Sequence, residues 1–166
     1  MRRLLYIYLI CIAASAVTAA IFASAQHQTK LPDPFSAQQR TIVPFQLYYP
    51  DKLPAPYYVD LASLGRSQDS VVTMRITDGT GKGHYFIVSQ QRLSDSINLQ
   101  AFYDSFAGRT SFKTDLGQAV AGTIDDGNTR IVSLLTEDKT WILVQAPSDV
   151  SLNIIQQSLQ SLAPSR

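Results

Sequence analysis

Val71–Gln90 reads VVTMRITDGTGKGHYFIVSQ and decides the fold. Val71 to Thr77 is rich in β-branched residues, which suit a pleated, half-buried surface. Asp78 to Gly83 (DGTGKG) is made of turn residues, and His84 to Gln90 (HYFIVSQ) returns as a second strand. A hairpin is therefore expected. The same plan recurs downstream: Thr129 to Thr136 is a strand, Glu137-Asp138-Lys139 a turn and Thr140 to Gln145 (TWILVQ) a strand. Gly117 to Ile124 adds another strand, closed by the turn Asp125-Asp126-Gly127-Asn128.

Outward from these hairpins the pattern changes to helical spacing. Ser94-Asp95-Ser96 offers an N-cap before a short helix, Leu99 to Phe106, with Leu99, Phe102, Tyr103 and Phe106 on one face and Gly108 as its end. Ser148 is expected to cap a final helix running to about Leu162, with Leu152, Ile155, Leu159 and Leu162 recurring on the side that packs on the sheet. Before the first hairpin, Pro44 to Tyr49 is a short strand, and Tyr57 to Leu64 an edge strand followed by a polar turn, Gly65 to Asp69. Between them, three prolines in Pro50–Pro56 exclude helix and central strand. The expected fold is α+β: an antiparallel sheet with two helices covering one face. The two halves parallel each other as strand–strand–helix, which points to a duplication, although any hairpin–helix unit has that outline.

The amino-terminal part carries a different signal. Arg2-Arg3 precedes an uncharged apolar run, Leu4 to Phe22 (LLYIYLICIAASAVTAAIF). As a helix it spans about 28 Å, close to the roughly 30 Å of a bilayer core. A secretory signal needs an apolar core of only about 7–15 residues. Length thus favours a retained transmembrane anchor over residues 1–23, and the positive-inside rule places the amino terminus in the cytoplasm and the rest outside. The alternative is secretion after cleavage following Ala25, for which Ala23-Ser24-Ala25 is a fair site. Acylation at Cys11 is the weaker third reading, since Ile10 is bulky and the apolar run continues past it. Residues 24–40 (SAQHQTKLPDPFSAQQR) are polar, contain proline and lack apolar period, and read as a flexible tether about 23 Å long on average. The extracytoplasmic domain is then residues 41–166.

Composition narrows the function classes. The chain has 14 Lys+Arg against 13 Asp+Glu. There is no basic patch of the kind nucleic acid requires. Its single cysteine, Cys11, lies in the apolar run, so the exported part relies on neither disulfides nor thiol chemistry. Asp78–Gly83 lacks the spacing of a phosphate loop and precedes a strand where such a loop needs a helix. Asp125–Asn128 lacks the ligand pattern of a calcium loop. Of two histidines, His27 falls in the tether, leaving only His84 for zinc or triad chemistry. We therefore expect no enzyme, no catalytic residues, no metal and no cofactor. The best candidates for ligand contact are the tyrosines Tyr48, Tyr49, Tyr57 and Tyr58 around the proline-rich link, whose flat rings and polar tips suit a peptide or a glycan; the plainer reading has them packing the first strand on the sheet. Trp141, mid-strand, reads as core.

Pro50, Leu53-Pro54 and Tyr57, then Gln90, Gly117, Gly122, Trp141 and Ser161-Leu162 together resemble a bacterial family, the extracytoplasmic domain of unknown function numbered four-three-six-seven. Its members open with P-x-x-LP-x-G-Y, have a strand ending in Gln, a later G-x-x-G, a strand with Trp and a closing helix ending in Ser-Leu. Pro56 stands where the family has glycine. The similarity runs from about Pro44 to Leu162. It implies a domain that follows a membrane helix and accompanies anti-sigma-factor proteins or lipoproteins, and it implies no catalytic residues.

The sequence thus leads to a membrane-anchored extracytoplasmic module that binds or senses something at the cell envelope, partnered by the membrane through Leu4–Phe22 and by an envelope protein, peptide or glycan. The alternatives are an assembly partner in an envelope complex and an enzyme on cell-wall polymers. A binding module predicts a cleft beside the tyrosines. An assembly module predicts an exposed apolar patch on an uncovered sheet face. An enzyme predicts paired carboxylates, or His84 with a carboxylate.

Overall fold

The computed structural model describes residues 30–66, 71–80, 84–124 and 127–166. The proposed anchor, His27 and the first part of the tether lie outside the described residues, as do residues 81–83 and 125–126 of the two turns. Among the described residues no helix is long and apolar enough to cross a membrane.

Seven strands form one antiparallel sheet. They are β2 (Tyr58–Arg66), β3 (Val72–Thr77), β4 (Tyr85–Arg92), β5 (Ala107–Thr114), β6 (Gly117–Ile124), β7 (Thr129–Leu135) and β8 (Thr140–Pro147), in the order β2-β3-β4-β8-β7-β6-β5. Two short strands, β1 (Tyr48–Pro50) and β9 (Leu162–Pro164), pair separately. Three short helices complete the fold: α1 (Ala37–Ile42), α2 (Leu99–Asp104) and α3 (Leu152–Gln160). The expected hairpins are present, with Val72 opposite Gln90, Ile124 opposite Thr129 and Leu135 opposite Trp141.

Because side chains alternate across a strand, the register sorts residues onto two faces. One face carries Val72, Met74 and Ile76 of β3, Phe86, Val88 and Gln90 of β4, Ala119 and Ala121 of β6, Val132 and Leu134 of β7, and Ile142, Val144 and Ala146 of β8, all buried. The apolar residues among them share a cluster with Tyr48, Tyr49, Leu162 and the α3 residues Ile155 and Leu159. The β1–β9 pair and α3 therefore seal this face. Burying a residue such as Met74, Phe86 or Ile142 contributes about 1.5–3 kcal/mol each.

The opposite face is closed only in part, by α2. Phe102 packs edge-on against Trp141, ring centroids 5.4 Å apart, and against Phe106 at 4.9 Å. The Trp141 indole donates to Ser133 Oγ at 2.8 Å, and the Tyr103 hydroxyl lies 3.3 Å from the same oxygen. Trp141 and Ser133 alternate with Ile142 and Leu134, so α2 and α3 lie on opposite faces. The expectation of two helices on one face is corrected here. The reason is legible in β7: Ile131, Val132, Ser133 and Leu134 are all buried, as a strand covered on both sides requires. The helices that follow the two hairpins thus lie on opposite faces of the sheet.

Other expectations shift at their boundaries. The first strand is confined to Tyr48–Pro50, although Leu47 before it is buried. The last helix is capped by Ser151, whose hydroxyl accepts from the Asn153 amide, not by Ser148; it stops at Gln160, and Leu162 opens β9. After α2 the chain forms a further strand, β5, beyond the elements expected from the sequence. β5 is an edge strand, exposed along most of its length, and so carries no apolar alternation. The tether also ends earlier than Arg40. Phe35 is buried, Ser36 and Gln39 form a capping box at α1, and the compact unit begins at Leu31. The Asp33 carboxylate accepts from Arg40, from the Ser165 hydroxyl at 2.6 Å and from the Arg166 amide, fastening this arm to the far end of the chain.

Gly122 lets the junction between α2 and β5 lie close against β6. A Cβ there would lie 2.6 Å from Phe106 Cβ and 3.0 Å from the Ala107 carbonyl oxygen. Gly122→Ala is expected to lower stability by about 1–3 kcal/mol, measured by urea unfolding; an unchanged midpoint would show that the junction of Phe106 and Ala107 gives way freely.

Candidate functional site

The four candidate tyrosines do not converge. Tyr48 and Tyr49 lie in β1, opposite Pro164 and Ala163, and both are buried. Burial, with Asp138 next in effect, raises the pKa of the Tyr48 hydroxyl. Tyr57 is half-buried, its ring centroid 6.1 Å from that of Phe86; burial, then Asp78 and Asp149, raises its pKa. Tyr58 points the other way. It is 48% exposed and lies over Gly79, where a Cβ would meet its hydroxyl at 3.1 Å. Tyr48 and Tyr49 thus pack in the core and Tyr57 packs against it, the plainer of the two sequence readings, and Tyr58 alone of the four is largely exposed.

His84 does pair with a carboxylate: its Nδ1 is 3.4 Å from Asp78 Oδ2. Asp78 is committed to its turn, however. Its Oδ1 accepts from the backbone amide of Thr80 at 2.9 Å and from the Thr80 hydroxyl at 2.8 Å. The Thr80 amide, with smaller help from the Thr80 hydroxyl and His84, lowers its pKa below the ordinary carboxylate range. An Asp held ionised in this way serves the hairpin and is no proton donor near neutrality. Among the described residues no group of three or more His, Cys, Asp or Glu is placed to hold a metal.

A polar cleft lies elsewhere, between α2 and the β5–β6 hairpin. Its volume is about 390 Å³ and it is lined by Gln100, Tyr103, Arg109, Thr110, Ser111, Gln118 and Val120, within the range of roughly 300–1,000 Å³ of small-ligand sites. Each wall is positioned by a local constraint. Asn98 caps α2 by accepting from the Ala101 amide, which sets the helix start and with it Gln100 and Tyr103. Tyr103 is held from behind by Ser133 and by the Phe106 ring 5.9 Å away. The two-residue turn between Thr114 and Gly117 fixes the hairpin register, with Ser111 opposite Val120. Arg109 and Gln100 both donate to Asp104 Oδ1, at 2.9 and 2.8 Å. Gln118 donates to Ser111 Oγ at 3.1 Å. Sequence reasoning missed this site because its residues come from a helix and from an edge strand with no apolar period; the signal was the polar, hydroxyl-rich run GRTSFKT (Gly108–Thr114) after the helix.

The buried phenols have a pH consequence. A tyrosine whose folded pKa is raised keeps its proton longer in the folded chain. The stability this contributes is complete below the ordinary tyrosine value of about 10 and is lost as pH rises through the folded value. Ultraviolet titration is expected to show Tyr48 and Tyr57 ionising above the ordinary tyrosine value, together with alkaline unfolding; their ionisation at the ordinary value in the folded chain, followed by Tyr48→Phe and Tyr57→Phe difference titrations, would contradict this. Comparison with family models, curated proteins and solved structures finds no match to this chain.

Proposed function

We propose that this chain is a membrane-anchored extracytoplasmic binding module of the cell envelope, held by Leu4–Phe22 with its amino terminus in the cytoplasm; release after Ala25 is the alternative address. The observation that carries the binding role is the cleft beside α2. Gln100, Arg109 and Gln118 already hold side-chain hydrogen bonds there, which lowers the cost of binding, and the lining includes no acid–base pair. The resemblance to the extracytoplasmic domain family belongs to this proposal. The residues that carry it have structural duties here: Leu53 and Trp141 are buried, Gly122 makes room for Phe106 and Gln90 is fully enclosed.

A second reading, an assembly partner, draws on the uncovered half of the sheet. Over β2–β4 the face that α2 leaves open presents Tyr58, Arg75 and Tyr85, with the Arg75 guanidinium 5.3 Å from the Tyr85 ring centroid. It continues into a shallow groove of about 420 Å³ that includes Ile87, Ile124, Gln145 and Pro147. Partly apolar surfaces of this kind mark protein contacts.

Address and surface use are tested together. The domain has no cysteine of its own, so Ser148→Cys in a Cys11→Ser background gives a single reactive thiol. A membrane-impermeant maleimide should label it on intact cells, and the labelled protein should sediment with membranes. Labelling only after lysis would overturn the orientation, and a soluble labelled product would select the cleaved form. A photo-crosslinking residue at position 58 separates the two roles: a discrete adduct from that site, absent with the same residue at position 148, supports assembly through the open face.

A further inference from the structure

The chemistry of the cleft narrows its ligand. We propose that the cleft between α2 and the β5–β6 hairpin binds a neutral, hydroxyl-rich ligand, an oligosaccharide. This inference rests on the reading of the chain as a binding module.

Charge decides against an ionic ligand. Arg109 is the single cation of the lining, and Asp104 sits 2.9 Å from its guanidinium. The pair cancels, so an anion would gain no net attraction, and a cation would meet a carboxylate already accepting two bonds. What remains is matched to hydroxyl groups. Gln100 and Gln118 each carry a carboxamide, which both donates and accepts, and Ser111 adds a hydroxyl. Gln118 uses its amide nitrogen on Ser111, and its carbonyl oxygen accepts no bond among the described residues. One sugar hydroxyl can donate to that oxygen while another accepts from Arg109. Free amino acids and short peptides would bring terminal charges that nothing here pairs.

The apolar part of the cleft also suits a sugar. Tyr103 and Val120 are half-buried, so each exposes apolar surface to the cleft without completing a hydrophobic pocket. A pyranose has one such C–H face and a rim of hydroxyls, and an aromatic ring beside polar groups serves both. The Tyr103 ring does not need to reorganise, since Ser133 and Phe106 already hold it. One wall of the cleft is β5, an edge strand whose residues are exposed along most of its length.

The test uses the full chain in a sugar-free zwitterionic detergent. Chitotetraose, cellotetraose and maltotetraose are the neutral probes, and tetragalacturonate is the anionic one, each titrated by calorimetry and by saturation-transfer NMR. Saturable binding of at least one neutral probe is expected, with tetragalacturonate weaker. Gln118→Ala, at an exposed position, should weaken binding by about two- to tenfold, the effect of one hydrogen-bond partner, with unchanged thermal stability. Asp104→Asn uncovers the Arg109 charge and should shift preference toward tetragalacturonate. Failure of all three neutral probes at millimolar concentration, indifference to Gln118→Ala, or a wild-type preference for the anion would each overturn the proposal. If those failures accompany a position-58 adduct and surface labelling, the cleft assignment falls while the envelope-module reading stands.

Discussion

A single buried carboxamide joins the two sheets of this protein. Gln90 is fully enclosed, and its side chain bonds both ways to one residue of β1: Nε2 donates to the Tyr48 carbonyl at 2.7 Å, and Oε1 accepts from the Tyr48 amide at 2.8 Å. It acts as one residue of a strand would, supplying a donor and an acceptor to backbone groups that otherwise lie unpaired in the core. Much of the fold hangs on this pair. β1 holds β9, the Ser165 amide donates to the Leu47 carbonyl, and Ser165 in turn donates to Asp33 and so fixes the arm before α1. A buried polar network of this kind specifies one arrangement because a shifted β1 would leave both Tyr48 groups and the whole carboxamide unsatisfied.

That closure explains the division of labour between the faces. With β1, β9 and α3 sealing one side, the other is free to carry surface. α2 covers only the β6–β8 end, anchored by the Phe102–Trp141 contact and the shared Ser133 hydroxyl. Its position leaves a polar cleft on the β5 side and an open sheet face on the β3 side. Both edges of the sheet are blunted. The register slips between Asp60 and Gly65 on β2 and between Ala107 and Thr110 on β5, and Gln160 of α3 donates to the Lys113 carbonyl. Such devices discourage edge-to-edge pairing and direct any contact to the faces.

The core hairpins were readable because their residues obey period two. VVTMRIT alternates, and β3 is buried on one face; RIVSLL does not, and β7 is buried on both. The same contrast held the information that the helices sit on opposite sides, but only once α2 was known to lie over β7. β5 escaped because an exposed edge strand has no reason to alternate. Within Leu31–Arg40 the polar composition concealed one buried anchor, Phe35, and one carboxylate, Asp33, two of whose partners, Ser165 and Arg166, are more than a hundred residues away. The tyrosines misled for a related reason: clustering in sequence around three prolines placed Tyr48 and Tyr49 in one small strand and Tyr58 on the far side of the main sheet. The cleft was illegible because a preformed polar site needs register and helix placement, which neighbouring residues do not encode.

Gln90→Glu tests the account at its centre. The substituted carboxylate keeps the shape but has no donor for the Tyr48 carbonyl, and it buries a charge. At neutral pH a loss of about 3–5 kcal/mol is expected. Burial raises the folded pKa of the introduced carboxyl, so the wild-type hydrogen bonding is recovered when it is protonated and lost as pH rises through that value. Urea unfolding of Gln90→Glu and wild type across pH should therefore show a deficit that shrinks steadily on acidification. A deficit independent of pH, or none at all, would contradict the view that this carboxamide holds the fold together.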